Sequence, residues 1–99
     1  MRLTPAQIAL IKSAVADLAG PAARVRLFGS RLDDDARGGD VDLLLELPAP
    51  VERPALLAAR LAARISRGMD GRKVDVLLSS PNLEHHPIHD LALREGRLL

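Results

Sequence analysis

The chain has 99 residues, the size of one ordinary domain, and 47% of them are hydrophobic, which is enough for a buried core. Its 14 Lys and Arg nearly balance its 13 Asp and Glu, so a net charge of +1 gives no field that favours nucleic acid. A single Phe, with no Trp or Tyr, excludes the stacking platform of a single-strand binder, and the lack of Cys excludes disulfides and thiolate metal sites.

We expect neither a signal peptide nor a membrane-spanning segment at the N-terminus. No long apolar segment follows Arg2, and the polar residues Gln7, Lys12 and Asp17 interrupt the first apolar pattern. The chain contains no repeat and no linker long enough to divide it. We therefore expect a cytoplasmic protein with no membrane partner, in which residues 1–99 form a single domain.

The first predicted elements are a helix and a short strand. Thr4 before Pro5 is a helix-start signal, because Thr is a good N-cap residue and Pro is tolerated in the first helical turn. Apolar residues then recur at helical spacing until Gly20. Residues 24–28 alternate between the two faces of a strand that ends at Gly29.

The remaining elements alternate between strands and helices. The polar residues 31–39 predict a single helical turn followed by a loop, and residues 40–47 predict a second strand. Residues 54–67 predict a helix, residues 73–78 a third strand and residues 87–95 a last helix. We therefore expect an α/β (α+β) domain, with helices packed on a small mixed sheet of three to five strands. The second and third strands should be parallel, because a helix connects them.

Three acidic residues occupy strand positions that are otherwise apolar. Asp40 and Asp42 are two residues apart and so project from the same face, and Asp75 lies between two valines on the third strand. Three carboxylates on one face repel each other unless a cation lies among them. Oxygen ligands without His or Cys favour magnesium or manganese over zinc. The alternative is that these acids are exposed strand-end residues that serve solubility.

A turn directly after the first strand could receive a phosphate group. Gly29 at a strand end lets the backbone approach an anion closely, and the amides of the following turn can point towards it. Ser30 adds a hydroxyl group and Arg31 a positive charge. By itself a Gly-Ser pair is more often a plain turn and N-cap. The acids that follow it are what favour a phosphate-binding turn here.

The combined motif resembles the signature of the DNA polymerase β nucleotidyltransferase superfamily. It consists of Phe28-Gly29-Ser30, nine residues, Asp40-Val41-Asp42-Leu43, and later Val74-Asp75-Val76. In size, and in the segment from Ile88 to Gly96, the chain resembles the minimal nucleotidyltransferases (MNT proteins) of HEPN/MNT toxin–antitoxin pairs. The resemblance implies a polymerase β-like nucleotidyltransferase core over residues 1–99, with ATP as substrate and Gly29, Ser30 and Arg31 as nucleotide-binding residues.

The same resemblance implies a mechanism and a partner. Asp40 and Asp42 would bind two Mg²⁺ (or Mn²⁺) ions, and Asp75 would bind the catalytic ion and help to deprotonate the acceptor. The implied reaction moves AMP from ATP to a hydroxyl group of a HEPN-domain toxin, for which the chain would be the antitoxin. The sequence leaves open which nucleotide is used, the acceptor, the oligomeric state and whether the site turns over.

Two other functions were weighed. A catalytically silent antitoxin or nucleotide-binding module would keep the fold and neutralise its partner by contact alone. A phospho-acceptor receiver domain also uses an acidic cluster, but it needs five regular strand–helix pairs, which this chain does not contain.

Other polar residues are assigned structural roles. Pro87 interrupts His85, His86 and His89, which favours a loop and N-cap role over zinc. Glu46 shares the acidic face but lies too far along its strand to belong to the site. Four arginines predict the solvent-exposed face of a helix, with a partner-binding surface as the alternative: Arg53, Arg60, Arg64 and Arg67.

Overall fold

The computed structural model describes residues 3–29 and 40–99. Within these ranges the elements follow in the order α1 (Pro5–Ala19), β1 (Arg24–Phe28), β2 (Val41–Glu46), α2 (Pro54–Arg67), β3 (Val74–Ser79), α3 (Pro87–Glu95) and β4 (Arg97–Leu98). The helical turn predicted for residues 31–39 lies outside the described residues, as do Ser30 and Arg31. None of the helices in the described ranges is both long and apolar enough to cross a membrane.

The first helix begins as its sequence predicts. The Thr4 hydroxyl accepts a hydrogen bond from the Gln7 backbone N–H at 3.1 Å, and the Gln7 side chain accepts one from the Thr4 N–H at 2.9 Å. This reciprocal capping box satisfies two N–H groups that have no partner within the helix. The predicted ranges of α2 and α3 are confirmed as well.

The strands form one mixed sheet in the order β3-β2-β1-β4. Strands β2 and β3 are parallel, as predicted, whereas β1 is antiparallel to both β2 and β4. Three helices pack on this four-stranded sheet, which confirms the expected α+β fold. The sequence analysis did not place β4, which pairs through only two residues.

The main core fills the space between one face of the sheet and helices α1 and α2. Its most deeply buried side chains include Ile11 of α1, Leu43 and Leu45 of β2, and Leu61 and Ile65 of α2. Removing each of them from water contributes roughly 1.5–3 kcal/mol. The alternation in β2 thus places its odd-numbered residues in this core and leaves its even-numbered residues, including Asp42, on the other face.

Among the described residues, α3 covers part of the opposite face. Phe28, Leu44 and Ala92 are buried there, and Leu77 packs against them. His86 is the N-cap residue of α3, as predicted, and the buried His89 anchors the helix to β3. The acidic strand residues share this second face with α3.

Candidate active site

Strand register brings two of the predicted acids side by side. In the parallel β2–β3 pair, Asp42 lies directly opposite Asp75, so the two carboxylates project from the same face. Asp42 is half-buried and Asp75 is exposed. On its other side Asp42 pairs with Phe28 of β1, the residue before Gly29. The sheet therefore joins the predicted phosphate turn to the predicted metal ligands.

Asp40 lies just before β2, next to a lysine. The Val41 N–H donates a hydrogen bond to the Lys73 carbonyl at 2.9 Å, which sets Lys73 across from the start of β2. The Lys73 Nζ is 3.7 Å from Oδ2 of Asp40 and 4.0 Å from Oδ2 of Asp75. An ammonium group therefore lies between two of the three predicted carboxylates.

Gly29 occupies a position that excludes a side chain. Its φ is +76°, a conformation that glycine adopts readily and other residues rarely do. A Cβ atom at this position would lie 2.5 Å from Oδ2 of Asp42, well inside van der Waals contact. Backbone conformation thus favours glycine here, and any side chain would have to displace the Asp42 carboxylate. Ser30 and Arg31, predicted to bind nucleotide, lie outside the described residues.

An open groove contains Gly29, Asp42 and Asp75 and extends to α3. It has a volume of about 490 Å³ and is lined by Phe28, Gly29, Asp42, Asp75, Val76, Leu77, Ile88 and Leu91. Ile88 is 48% exposed and Leu91 37% exposed, although both side chains are large and apolar. We refer to Leu77, Ile88 and Leu91 as the apolar wall of the groove. The groove thus has an acidic end and an apolar wall.

The donor set suits a hard divalent cation. Carboxylate oxygens without a nitrogen or sulfur donor are the ligands that Mg²⁺ and Mn²⁺ prefer. The Lys73 ammonium shows that a cation can lie between Asp40 and Asp75. Within residues 3–29 and 40–99, however, no three His, Asp or Glu side chains are grouped closely enough to hold a metal ion as they stand. The three-carboxylate metal site thus stays a prediction.

Residues that the sequence analysis kept out of the site have structural contacts. The Glu46 carboxylate accepts a hydrogen bond from Nε of Arg26 at 2.6 Å, across strands β1 and β2. Arg64, one of the four arginines predicted to be exposed, pairs with Asp17 at 2.6 Å and joins α2 to α1.

Lys73, Ile88 and Leu91 have no predicted role. Lys73 and Asp75 are two residues apart in the predicted strand 73–78 and so share a face, which is the available sequence signal for an interaction. Ile88 and Leu91 are three residues apart on one side of α3, but sequence periodicity alone does not show which groove that side borders.

Comparison with known proteins gives a family for the chain. No curated protein matches it. The family model of the nucleotidyltransferase domain matches residues 8–96 of the chain. This range contains Gly29, Asp40, Asp42 and Asp75. The chain therefore belongs to the nucleotidyltransferase domain family of the polymerase β-like superfamily.

Proposed function

We propose that this nucleotidyltransferase domain transfers AMP from ATP to a hydroxyl group of a protein partner in the cytoplasm. The proposed partner is a HEPN-domain toxin, and the proposed role is that of its antitoxin. Nucleotidyl transfer in general follows from the family. The observation that supports a working site is the β2–β3 register, which sets Asp42 beside Asp75 and next to the Gly29 turn.

The reaction forms one bond and breaks one bond at the α-phosphorus of ATP. The acceptor oxygen bonds to that phosphorus, the bond from phosphorus to the bridging oxygen of the β-phosphate breaks, and pyrophosphate leaves. In this proposal Asp40 and Asp42 would hold two divalent ions, and Asp75 would also bind the catalytic one. Bound metal would neutralise phosphate charge and favour the deprotonated acceptor. Gly29 lets the triphosphate approach the backbone, while Ser30 and Arg31 add a hydroxyl group and a positive charge.

Asp75 is assigned to the acceptor. Its side chain is 52% exposed at the open end of the groove, so a hydroxyl group from outside can reach its carboxylate. The proton of the acceptor passes to this carboxylate or to a water molecule that it orients. The apolar wall beside Asp75 favours an acceptor that itself brings apolar surface, as a protein does.

The direct test is transfer of label. Incubation with the cognate partner, Mg²⁺ and ATP labelled at the α-phosphate should place label covalently on the partner and release pyrophosphate. Asp75→Asn should abolish labelling but retain ATP binding, because Asp40 and Asp42 still hold the nucleotide metal. Retained labelling in Asp75→Asn would contradict the role assigned to this carboxylate.

A catalytically silent antitoxin or nucleotide-binding module is the second candidate. The exposure of Ile88 and Leu91 favours it, because an apolar surface can bind a partner without any reaction. This alternative expects no label transfer and equal neutralisation by the parent chain and by Asp75→Asn. Full neutralisation by a variant with Asn at positions 40, 42 and 75 would decide in its favour.

A further inference from the structure

The candidate site contains a positive charge that the proposed reaction has not used. Lys73 places its ammonium within 3.7 Å of Asp40 and 4.0 Å of Asp75. We infer that Lys73 is a counter-ion that competes with divalent metal for these two carboxylates, so that metal binds mainly together with nucleotide. The inference rests on the metal-dependent function proposed above, and it adds a means by which nucleotide controls metal binding.

The position of Lys73 is fixed by the backbone. The Lys73 carbonyl accepts a hydrogen bond from the Val41 N–H. Val74, the residue after Lys73, lies in register with Val41 in the β2–β3 pair. Lys73 is two residues before Asp75, so both side chains project from the same face of the sheet. The main chain thus holds the base of this side chain between the two acids, while its ammonium end can move.

Charge explains why the ammonium lies there. Asp40 and Asp75 repel each other at neutral pH, and a positive charge between them lowers that repulsion. A divalent ion that approaches the same oxygens must also approach the ammonium, which repels it. The two positive charges therefore compete for one pair of carboxylates.

Exposure limits the strength of this competition. The side chains of Lys73, Asp40 and Asp75 are 69%, 45% and 52% exposed, so water and salt screen their interactions. Lys73 can also leave the carboxylates for solvent without crossing a packed region. The lysine should therefore weaken metal binding by a modest factor and should not prevent it.

Bound nucleotide should remove most of the weakening of metal binding that Lys73 causes. A triphosphate brings several negative charges, which offset the ammonium, and it supplies oxygen ligands that Mg²⁺ needs because this ion relies on substrate phosphates. Metal and nucleotide should then bind together more tightly than either binds alone. Free metal would be a poor ligand of the chain, and the metal–nucleotide complex a good one.

The test measures Mn²⁺ binding by the electron paramagnetic resonance signal of the free ion, using the full chain without nucleotide. Lys73→Met should bind Mn²⁺ about three- to tenfold more tightly than the parent, the scale of removing one charge near a divalent ion in a hydrated site. Lys73→Arg, which keeps the charge, should stay close to the parent. Lys12→Met is the matched control, because it removes the same charge from α1 on the other side of the sheet.

A second titration contains a non-hydrolysable ATP analogue. In the presence of the analogue, the difference in Mn²⁺ affinity between Lys73→Met and the parent should become smaller, because phosphate oxygens then also bind the metal. A difference that stays the same would overturn the coupling to nucleotide. Melting temperatures of all variants confirm that each is folded before it is titrated.

The remaining outcomes separate this inference from the proposed function. A further variant, Asp42→Asn, removes a proposed metal ligand. If Lys73→Met and Lys12→Met bind Mn²⁺ equally and Asp42→Asn abolishes Mn²⁺ binding in the presence of the analogue, only the role of Lys73 is overturned. If neither the parent nor Lys73→Met binds Mn²⁺ with or without the analogue, the metal site and the role of Lys73 are both overturned.

Discussion

Gly29 is the residue at which backbone conformation and side-chain chemistry impose separate requirements. Its positive φ is unfavourable for an L-amino acid, and the Asp42 carboxylate occupies the space that a Cβ would need. Gly71 offers a comparison within the same chain, because its φ is +78° but nothing lies within 4 Å of its Cβ position. The two glycines therefore differ in steric contact and hardly at all in φ.

Alanine at each of these positions separates the two requirements. Gly29→Ala and Gly71→Ala should both lose stability, by roughly 1 kcal/mol from the backbone conformation. Gly29→Ala should in addition displace Asp42 and weaken metal-dependent ATP binding at least tenfold, since a divalent ion is sensitive to the position of its ligands. ATP titration calorimetry with Mg²⁺ measures the second effect. Equal ATP affinity in the two variants would show that the contact with Asp42 is unimportant for binding.

At the residue scale, the shared strand face of the acids was predictable and the contact of Lys73 with Asp40 was not. Alternation places Asp40 and Asp42 on one strand face, and the apolar residues around Asp75 mark it as an unusual strand residue. Lys73 shares a strand face with Asp75, but solvent accepts an exposed lysine, so this position alone does not identify Asp40 as its partner. Its contact with Asp40 depends on the register between β2 and β3, which the sequence predicts only as a parallel pairing.

At the scale of elements, α3 is held to the sheet by a buried histidine. Nδ1 of His89 accepts a hydrogen bond from the His86 N–H, and its Nε2 donates one to the Leu78 carbonyl, both at 2.9 Å. His89 is only 3% exposed, and its bond to the Leu78 carbonyl is buried, whereas the bond from the His86 N–H is partly buried. His85 lies one residue before the N-cap and is exposed, where it contacts Asp90.

Replacing the two histidines by leucine should give different stabilities. His89→Leu should lower the free energy of unfolding by about 1–3 kcal/mol, because the Leu78 carbonyl and the His86 N–H lose their buried partner. His85→Leu should change it by less than about 0.5 kcal/mol, as is usual for a surface position. Urea unfolding followed by circular dichroism measures both. If His89→Leu is as stable as the parent, these hydrogen bonds do not anchor α3.

The elements themselves were largely predictable. Helical spacing and the Thr4-Pro5 start signal were sufficient for α1, and alternation identified β1, β2 and β3 to within one residue at either end. The exception is β4, since two residues are too few to show alternation and this strand exists through its pairing with β1. Periodicity predicts an element whose own residues alternate or recur, but it does not predict one that is defined only by its hydrogen bonds to a distant strand.

At the scale of the whole molecule, the two faces of the sheet are covered unequally. Within residues 3–29 and 40–99, α1 and α2 bury one face, whereas α3 covers part of the other beside the groove that contains Asp75. The apolar wall is the side of this groove that a partner protein would contact in the proposed reaction. Leu56 is similarly exposed, at 39%, but it lies on α2 away from the groove.

Serine in place of Leu91 of the apolar wall, or in place of Leu56 on α2, tests which of the two surfaces binds the partner. Leu91→Ser should raise the KM for the partner in the labelling assay by about tenfold, the effect expected when one apolar side chain no longer becomes buried on binding. ATP affinity should not change, because the acids and the Gly29 turn are intact. Leu56→Ser should behave like the parent. The opposite pattern would place the partner on α2.

The contact between Gly29 and Asp42 has a consequence for how sequences of this kind can diverge. As long as Asp42 is present, a side chain at position 29 would have to displace its carboxylate, so the acid adds to the cost of replacing the glycine. If Asp42 were lost first, the space would open, but the positive φ would still admit few residues other than Asn or Asp. The order of mutations therefore matters. A lineage that abandoned catalysis would lose the acid before the glycine, so an Asn at position 29 would appear only after Asp42 had been replaced.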